Sequence, residues 1–585
     1  MENKIERREI PSINQTLIFK GKATLLQIKR GAENFLDRKV KSFRFASELK
    51  NKPAIAESKT ELWTEIAPAE RFLLAGKIQN LRVAVAKING AEIPAGQIFS
   101  FWKQIGRATR RKGFVIGREL REGCIIPNVG GGLCQLSNAL YDAALRANFE
   151  IIERHAHTRV LPNSLAEQGR DATVFWNYID LRFRSPNAFR IEAKLDAKHL
   201  SVKFLSDKTK EKNLIQIQKR SAKPAAHVEN CATCGVEDCF RVVKPPKNSD
   251  FGRTAFLVDE FSPEFDEYIQ AAKCGKDTLF LPLDGKRFKK ANYAWTTANF
   301  AKVRQSLLTT LIRSYKSRKL AAQGAERQKN LLAMAEKLAE SYAKNLSFDV
   351  LHVVVSQNLL PFLWREGVLG GRVFDILMTN LPMKNLHERL DFAHSLHPES
   401  KTLGDFRADE KLIEVESEAL KHANKIITPH TEIASLFPDK AELLNWHLPK
   451  AKERTAKIKN QKQTVIFPAS TVGRKGVYEL REALRGLHVR LVIIGLNFEG
   501  ENFWHGFEVE RGNAQNGWLE NADLVVLPSF VENKPRRILE AAANQIPVIA
   551  SKACGVESVE NIETFETGNA EDLRLKLQNL LTRLS

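Results

Sequence analysis

The sequence predicts an α+β N-terminal domain followed by an α/β region of two Rossmann-like lobes with a cleft between them. Three observations carry this. From Leu62 to about Phe204, apolar runs punctuated by glycine mix strand and helix signals (LRVAVAKING, GGGLCQLSNALYDAALRA, DLRFRSP, FRIEAKL), the texture of an α+β domain. Beyond about Asp250, short apolar strands (TAFLVDEF, DTLFLPL, FDVLHVVVS, ANKIITPH) alternate with helical patterns such as NFAKVRQSLLTTLIRSY, which argues parallel sheet under covering helices. A second alternating set begins near Thr464 with QTVIFPAS, VRLVIIGL, ADLVVLPS and IPVIAS, and two such sets make two lobes. No short-period repeat runs along the chain.

Taken in order, residues 1–60 read as a basic helical arm, 61–207 as the α+β domain and 208–250 as a polar, lysine-rich linker with a His/Cys cluster. Residues 251–450 and 451–585 read as the two lobes. The 585 residues suit three to five units at roughly 100–200 residues each. At 43% hydrophobic and 27% charged, the chain is neither collagen-like, mucin-like nor wholly disordered. Its formal charge of +21 points to an acidic partner: nucleic acid, anionic lipid or a phosphorylated small molecule. The start MENKIERREIPS lacks an apolar core, so no secretory signal is read. Runs such as VLHVVVS fall short of the roughly 20 residues a membrane span needs. Seven cysteines do not make a disulfide scaffold. These features predict a cytoplasmic protein, with peripheral contact at the inner face of an anionic membrane left open.

The most informative stretch is ADLVVLPSFVENKPRRILEAAANQIPVIAS. A strand ends at Leu527-Pro528-Ser529, a loop carries Glu532, a helix begins near Arg537, and Glu540 is read in its first turn. In a doubly wound sheet, ligands sit beyond the carboxyl ends of the strands, and the helix N-terminus there suits a phosphate. Two carboxylates eight residues apart at such a place suit a sugar hydroxyl and a ribose.

This segment resembles the E-x7-E signature of retaining GT-B glycosyltransferases, the glycogen-synthase-like group that uses nucleotide sugars. The resemblance runs from about Phe251 to the end, taking in PASTVGRKGVYEL, EVESEALKHANKIITPHTEIA and GNAEDLRLKLQNLL. It implies that Glu532 sits by the transferred sugar, Glu540 holds the donor ribose, and Arg474 and Lys475 neutralise the donor diphosphate. The implied donor is a UDP- or GDP-sugar. No Asp-x-Asp motif is evident, so no catalytic metal is required. The chain departs from the pattern in four places. Asn533-Lys534-Pro535 replaces Gly-Phe-Gly, Gln545 replaces a glycine, VDEFSPEFDEY replaces a double-glycine loop, and Ser470 stands where a basic residue is usual. Lys534, Arg536 and Arg537 offer side-chain charge where proline removes a backbone donor. His352 and His430 are read either as acceptor contacts or as ordinary strand-end histidines.

In the N-terminal domain, Gly130 to Gly132 lead into a helix whose first turn holds Cys134 and Gln135. A thiol at a helix N-terminus has its pKa lowered and becomes nucleophilic near neutral pH. His155 and His157 follow on an expected strand, and Asp171 opens the next. A Cys134–His157–Asp171 arrangement suits acyl transfer; alternatively Cys134 is a structural core thiol. Cys124 has no such context and reads as inert. The block resembles the VanW family over about Leu81 to Phe204, through GGGLCQLSNALYDAAL, RHAHTRVLP, GRDATVFWNYIDLRFRS and FSFWKQIGRATRRKGF.

His227, Cys231, Cys234 and Cys239 give H-x3-C-x2-C-x4-C, a set that fits structural zinc, an iron–sulfur cluster completed by Cys274 or using His227, or no metal. Basic runs such as RATRRKGF lack interleaved aromatics, so nucleic acid is the less favoured partner. The expected function is sugar transfer from a nucleotide sugar to an unidentified glycan, lipid-linked or protein acceptor, in cell-envelope glycan or glycolipid synthesis. One alternative is a cysteine-dependent acyl transferase or hydrolase centred on Cys134. Another is a non-enzymatic glycan- or nucleic-acid-binding scaffold.

Overall fold

A computed structural model describes residues 12–36, 40–63, 70–121, 124–157, 165–207, 229–230, 239, 252–320, 324–404, 407–451, 462–512 and 517–584. The chain forms two compact units. The first comprises residues 1–253 with 346–351 and 366–372, and the second comprises the remainder. No helix among the described residues is long and apolar enough to cross a membrane.

The first unit is small-sheet α/β. A four-stranded antiparallel sheet runs Ala54–Glu61, His199–Leu205, Phe189–Leu195, Glu92–Ile93. Its strands alternate in burial: Phe189, Ile191, Ala193 and Leu195 turn inward while Lys194 is exposed. They pack under the helices Arg71–Val85 and Cys134–Arg146, so Leu74, Ile78, Leu136, Leu140, Phe189 and Phe204 share one core. Phe149 and Phe204 stack within it, 5.3 Å apart. The strand Ala54–Glu61 lies in the span read as a basic arm; its register with His199–Leu205 makes it a sheet member. A hairpin, Ile116–Arg121 with Cys124–Val129, feeds through the triple glycine into the helix that begins at Cys134. At Gly132, φ is +96° and an added Cβ would lie 2.2 Å from Lys77 Cγ, so only glycine lets this turn close on the neighbouring helix.

The second unit contains two parallel sheets. The first runs Lys302–Gln305, Thr278–Leu281, Thr254–Leu257, His352–Ser356, Val373–Leu377, Lys425–Thr428, Ala441–Leu443. The second runs Val509–Arg511, Val489–Ile493, Gln463–Phe467, Leu524–Leu527, Val548–Ser551, Ile562–Phe565. Each set, numbered in chain order, reads 3-2-1-4-5-6, the doubly wound Rossmann order, with a seventh strand added to the first sheet. Leu524–Leu527 and Val548–Ser551 are buried at every residue, as strands covered on both faces must be. One expectation changes: the pattern NFAKVRQSLLTTLIRSY is not one helix. Lys302–Gln305 pairs in parallel with Thr278–Leu281, and the helix starts at Leu307.

Candidate functional site

In the second sheet the winding reverses between strands Gln463–Phe467 and Leu524–Leu527. The loops that leave these two strands meet there. Gly476 holds them together: its φ is +71° and an added Cβ would sit 1.8 Å from Pro528 O. Across this contact Lys475 Nζ forms an ion pair with Glu532 Oε2, the two side chains being 13% and 12% exposed. Lys475 Nζ also donates to Val531 O at 3.3 Å, and Lys534 N donates to Glu532 Oε1 at 3.2 Å. Burial would raise the Glu532 pKa, but Lys475, the Lys534 amide and the charge of Arg474 outweigh it and hold the carboxyl below its usual range. Glu532 is therefore an anion at neutral pH, already partnered by the cation that the family resemblance assigns to a diphosphate. Arg474 anchors the same contact through its carbonyl, which accepts from Phe530 N at 2.9 Å.

The other predicted residues are placed differently. The helix runs Arg536–Ala543, one residue earlier than read, so Glu540 lies beyond its first turn and accepts from Trp518 Nε1 at 3.1 Å. Arg537 donates to Pro468 O at 2.6 Å and Ile494 O at 2.8 Å, tying down the ends of two strands. Lys534 and Arg536 bond the acidic segment after strand Thr254–Leu257. Lys534 Nζ meets Glu260 Oε2 at 2.6 Å, and Arg536 makes a bidentate pair with Glu264, both contacts at 2.6 Å. The VDEFSPEFDEY and NKPRR segments, each a departure from the family pattern, thus complement one another in charge.

Three features escaped the sequence reading. His430 is 1% exposed, its Nε2 lies 3.2 Å from Glu532 O, and burial lowers its pKa to about 4. A neutral ring at that place donates Nε2–H to the carbonyl and fixes the Glu532 backbone. Glu499 accepts from Ser400 Oγ at 3.0 Å, Gly473 N at 2.7 Å and Tyr478 OH at 2.8 Å, fastening the loop that carries Arg474 and Lys475. Asp259, at the first sheet's own reversal, is bonded by Arg313 at 2.5 Å and by Asn358 Nδ2. His430 is read in the sequence as an acceptor contact or a strand-end histidine, not as a support for Glu532; no local motif marks Glu499 or Asp259. His352, by contrast, opens its strand at the edge away from the carboxyl ends and pairs with Asp375 at 2.8 Å, a structural contact.

In the first unit, Cys134, His157 and Asp171 come together. His157 Nδ1 lies 2.6 Å from Asp171 Oδ2, and His157 N donates to the same oxygen at 2.7 Å. The His157 ring is also hydrogen bonded to Cys134. Arg154 braces the acid, donating from Nε to Asp171 O at 2.7 Å and from Nη2 to Oδ1 at 2.8 Å. Burial, the largest single effect, would lower the His157 pKa; the bonds and charges of Asp171 and Cys134 outweigh it and raise it to about 9. Neither His157 nor Asp171 lies in a strand, contrary to the expectation. Side chains and loop contacts replace the ladder: Asn138 Oδ1 accepts from Ala172 N at 2.8 Å, Ser137 Oγ donates to Ala172 O at 2.5 Å, and Thr173 N donates to His155 O at 2.7 Å. Of the zinc candidates, His227, Cys231 and Cys234 lie outside the described residues and Cys239 is half-buried; Cys274, read only for an iron–sulfur cluster, is exposed.

Comparison with known proteins follows the same division. Residues 76–205 match the family described as VanW like protein, and residues 462–583 match the family described as Glycosyl transferases group 1. The chain therefore carries a VanW domain and a group 1 glycosyltransferase domain. It is 36% identical over 106 residues to the uncharacterized protein YoaR of Bacillus subtilis, covering 18% of this chain and 34% of that one. It is 32% identical over 137 residues to the vancomycin B-type resistance protein VanW of Enterococcus faecalis, covering 23% and 50%. It is 31% identical over 100 residues to a putative teichuronic acid biosynthesis glycosyltransferase, TuaC of Bacillus subtilis, covering 16% and 26%. The chain thus spans at most half the length of these curated relatives. Among solved structures it is similar to a sucrose-phosphate synthase from Thermosynechococcus elongatus at 15% identity and a TM-score of 0.37, covering 57% and 90%.

Proposed function

We propose that the second unit is a retaining glycosyltransferase that moves a sugar from a nucleotide-sugar donor, UDP- or GDP-linked, to a glycan, lipid-linked or protein acceptor of the cell envelope. The Lys475–Glu532 pair at the point of strand reversal carries this reading, supported by the group 1 domain over 462–583. Without donor, Lys475 is neutralised by Glu532. With donor, phosphate oxygens take over Lys475 and Arg474, and Glu532, held by His430 and the Lys534 amide, faces the sugar. Developing charge on the departing diphosphate then meets two cations in a half-buried loop, where electrostatic stabilisation is strongest. Glu540, at the start of the helix's second turn, is assigned to the donor ribose. Lys534 and Arg536 are assigned to the rim, where exchange of Glu260 and Glu264 for donor would couple binding to movement of the acidic segment.

The test is release of nucleoside diphosphate from a panel of UDP- and GDP-sugars. Glu540→Ala and Lys475→Ala should each lower kcat/KM by about a hundredfold or more. Unchanged turnover in both would remove the assigned site.

A further inference from the structure

The sugar-transfer site leaves the first unit unused, and there the nucleophile, base and orienting acid of a thiol enzyme are already assembled. We infer that the VanW domain is a second catalytic centre, in which Cys134 is acylated by an ester or amide substrate with His157 as its base and Asp171 as the acid that orients it.

The geometry sets the roles. With His157 Nδ1 on Asp171 Oδ2 at 2.6 Å, the other ring nitrogen, Nε2, is left for the thiol. Asp171 is 1% exposed and accepts from His157 N and Arg154 as well, so it holds the ring in one tautomer. Arg154 acts through Asp171 and is a positioning residue. Cys134 opens the helix Cys134–Arg146; the amides of Gln135, Leu136 and Ser137 already donate to Gly132 O and Leu133 O, so the backbone donor offered to a developing oxyanion is the amide of Cys134 itself. The groups around the pair are Asp171 and Arg154, with Lys77 packed on the turn at Gly132; the bonds from Asp171 and Cys134 favour the imidazolium. Cys134 and His157 are both half-buried rather than sealed, as an attacking thiol must be.

The reaction balances without a further reagent. The Cys134 proton passes to His157, the Sγ–C bond forms, and a tetrahedral oxyanion develops. Its collapse breaks the C–O or C–N bond, and His157 returns the proton to the leaving alcohol or amine. Water, or a second amine, then attacks the thioester and restores the thiol.

The experiment uses the full chain and two probes, iodoacetamide and p-nitrophenyl acetate, with peptide mass mapping. At pH 6 an ordinary thiol is well under 1% thiolate. Cys134, hydrogen bonded to His157, should still be alkylated at least tenfold faster than the more exposed Cys274, because His157 takes the thiol proton. An acetyl adduct should accumulate on Cys134 alone. His157→Gln and Asp171→Asn should move the midpoint of the alkylation pH profile up towards 8.5, and Arg154→Ala should do so partially. Should those variants fail to fold, the wild-type profile decides by itself. Labelling of Cys134 at pH 6 no faster than Cys274, or no acetyl adduct on it, overturns the proposal.

Discussion

Gly476→Ala probes how closely the two site loops must approach. An alanine Cβ would lie 1.8 Å from Pro528 O and 2.6 Å from Pro528 C, against a floor near 3.0 Å. The loops must therefore part by about 1.2 Å, and the left-handed backbone at φ +71° adds roughly 1–2 kcal/mol. With overpacking of roughly 1–3 kcal/mol, the loss falls in the range of roughly 2–5 kcal/mol. Gly486 supplies the control: its φ is +75° but nothing lies within 4 Å of an added Cβ, so Gly486→Ala meets only the backbone term. Urea titration, followed by hydrogen exchange in Leu524–Leu527, reads the stability difference. Because a displacement of about 1 Å at a reacting centre costs about a hundredfold, Gly476→Ala should also lose about that much in kcat/KM while Gly486→Ala does not. Equal stability and equal turnover in the two variants would refute the claim that the Pro528 contact positions Lys475 against Glu532.

Three other outcomes are expected. Gln545 sits at φ +58° just past the helix Arg536–Ala543, where Ile546 N donates to Ala541 O and Gln545 N to Ala542 O, the αL position glycine favours; Gln545→Gly should stabilise by about 1 kcal/mol, and a loss of stability would contradict this. In a double-mutant cycle, Arg536→Gln and Glu264→Gln should couple by roughly 2 kcal/mol, because Glu264 is 2% exposed and its bidentate partner is charged; additive effects would deny the pair. His157 has a folded pKa raised to about 9 from 6.5, so its contribution is fully present below pH 6.5 and fades as pH rises through 9. Hydrogen-exchange protection of the helix Cys134–Arg146 should fall by up to roughly 3 kcal/mol across that window, and a flat profile would sink the assignment.

Both Rossmann-like sheets were legible because short apolar strands flanked by turn residues recur at helix-sized intervals, as QTVIFPAS and ADLVVLPS show. The edge strand Lys302–Gln305 was not, because its residues are half-exposed or exposed and run directly into an apolar helix. Ala54–Glu61 escaped for a related reason: its sequence AIAESKTE is polar, and only the distant partner His199–Leu205 makes it a strand. Cys134 and Glu532 could be named from local chemistry. The groups that brace the two sites could not be, since Arg154, His430, Glu499 and the Glu264 partner of Arg536 reach them from elsewhere in their units. The pairing of VDEFSPEFDEY with NKPRR is the sharpest case, because each segment alone looks like a lost motif and only the fold shows their charges meeting. Some of the +21 charge thereby has a place, at Arg474, Lys475, Lys534 and Arg536.

The strand-reversal loops of the second sheet are proposed to hold the diphosphate of a nucleotide sugar. Calorimetric titration of UDP and GDP into the wild-type chain, Lys475→Ala and Glu532→Gln tests it most directly. One of the two nucleotides should bind, Lys475→Ala should weaken it by about 10–150-fold, the worth of a charge-assisted contact of about 1.5–3 kcal/mol, and Glu532→Gln, which frees Lys475, should bind at least as tightly as wild type. Binding of neither nucleotide, or equal affinity in wild type and Lys475→Ala, would contradict it.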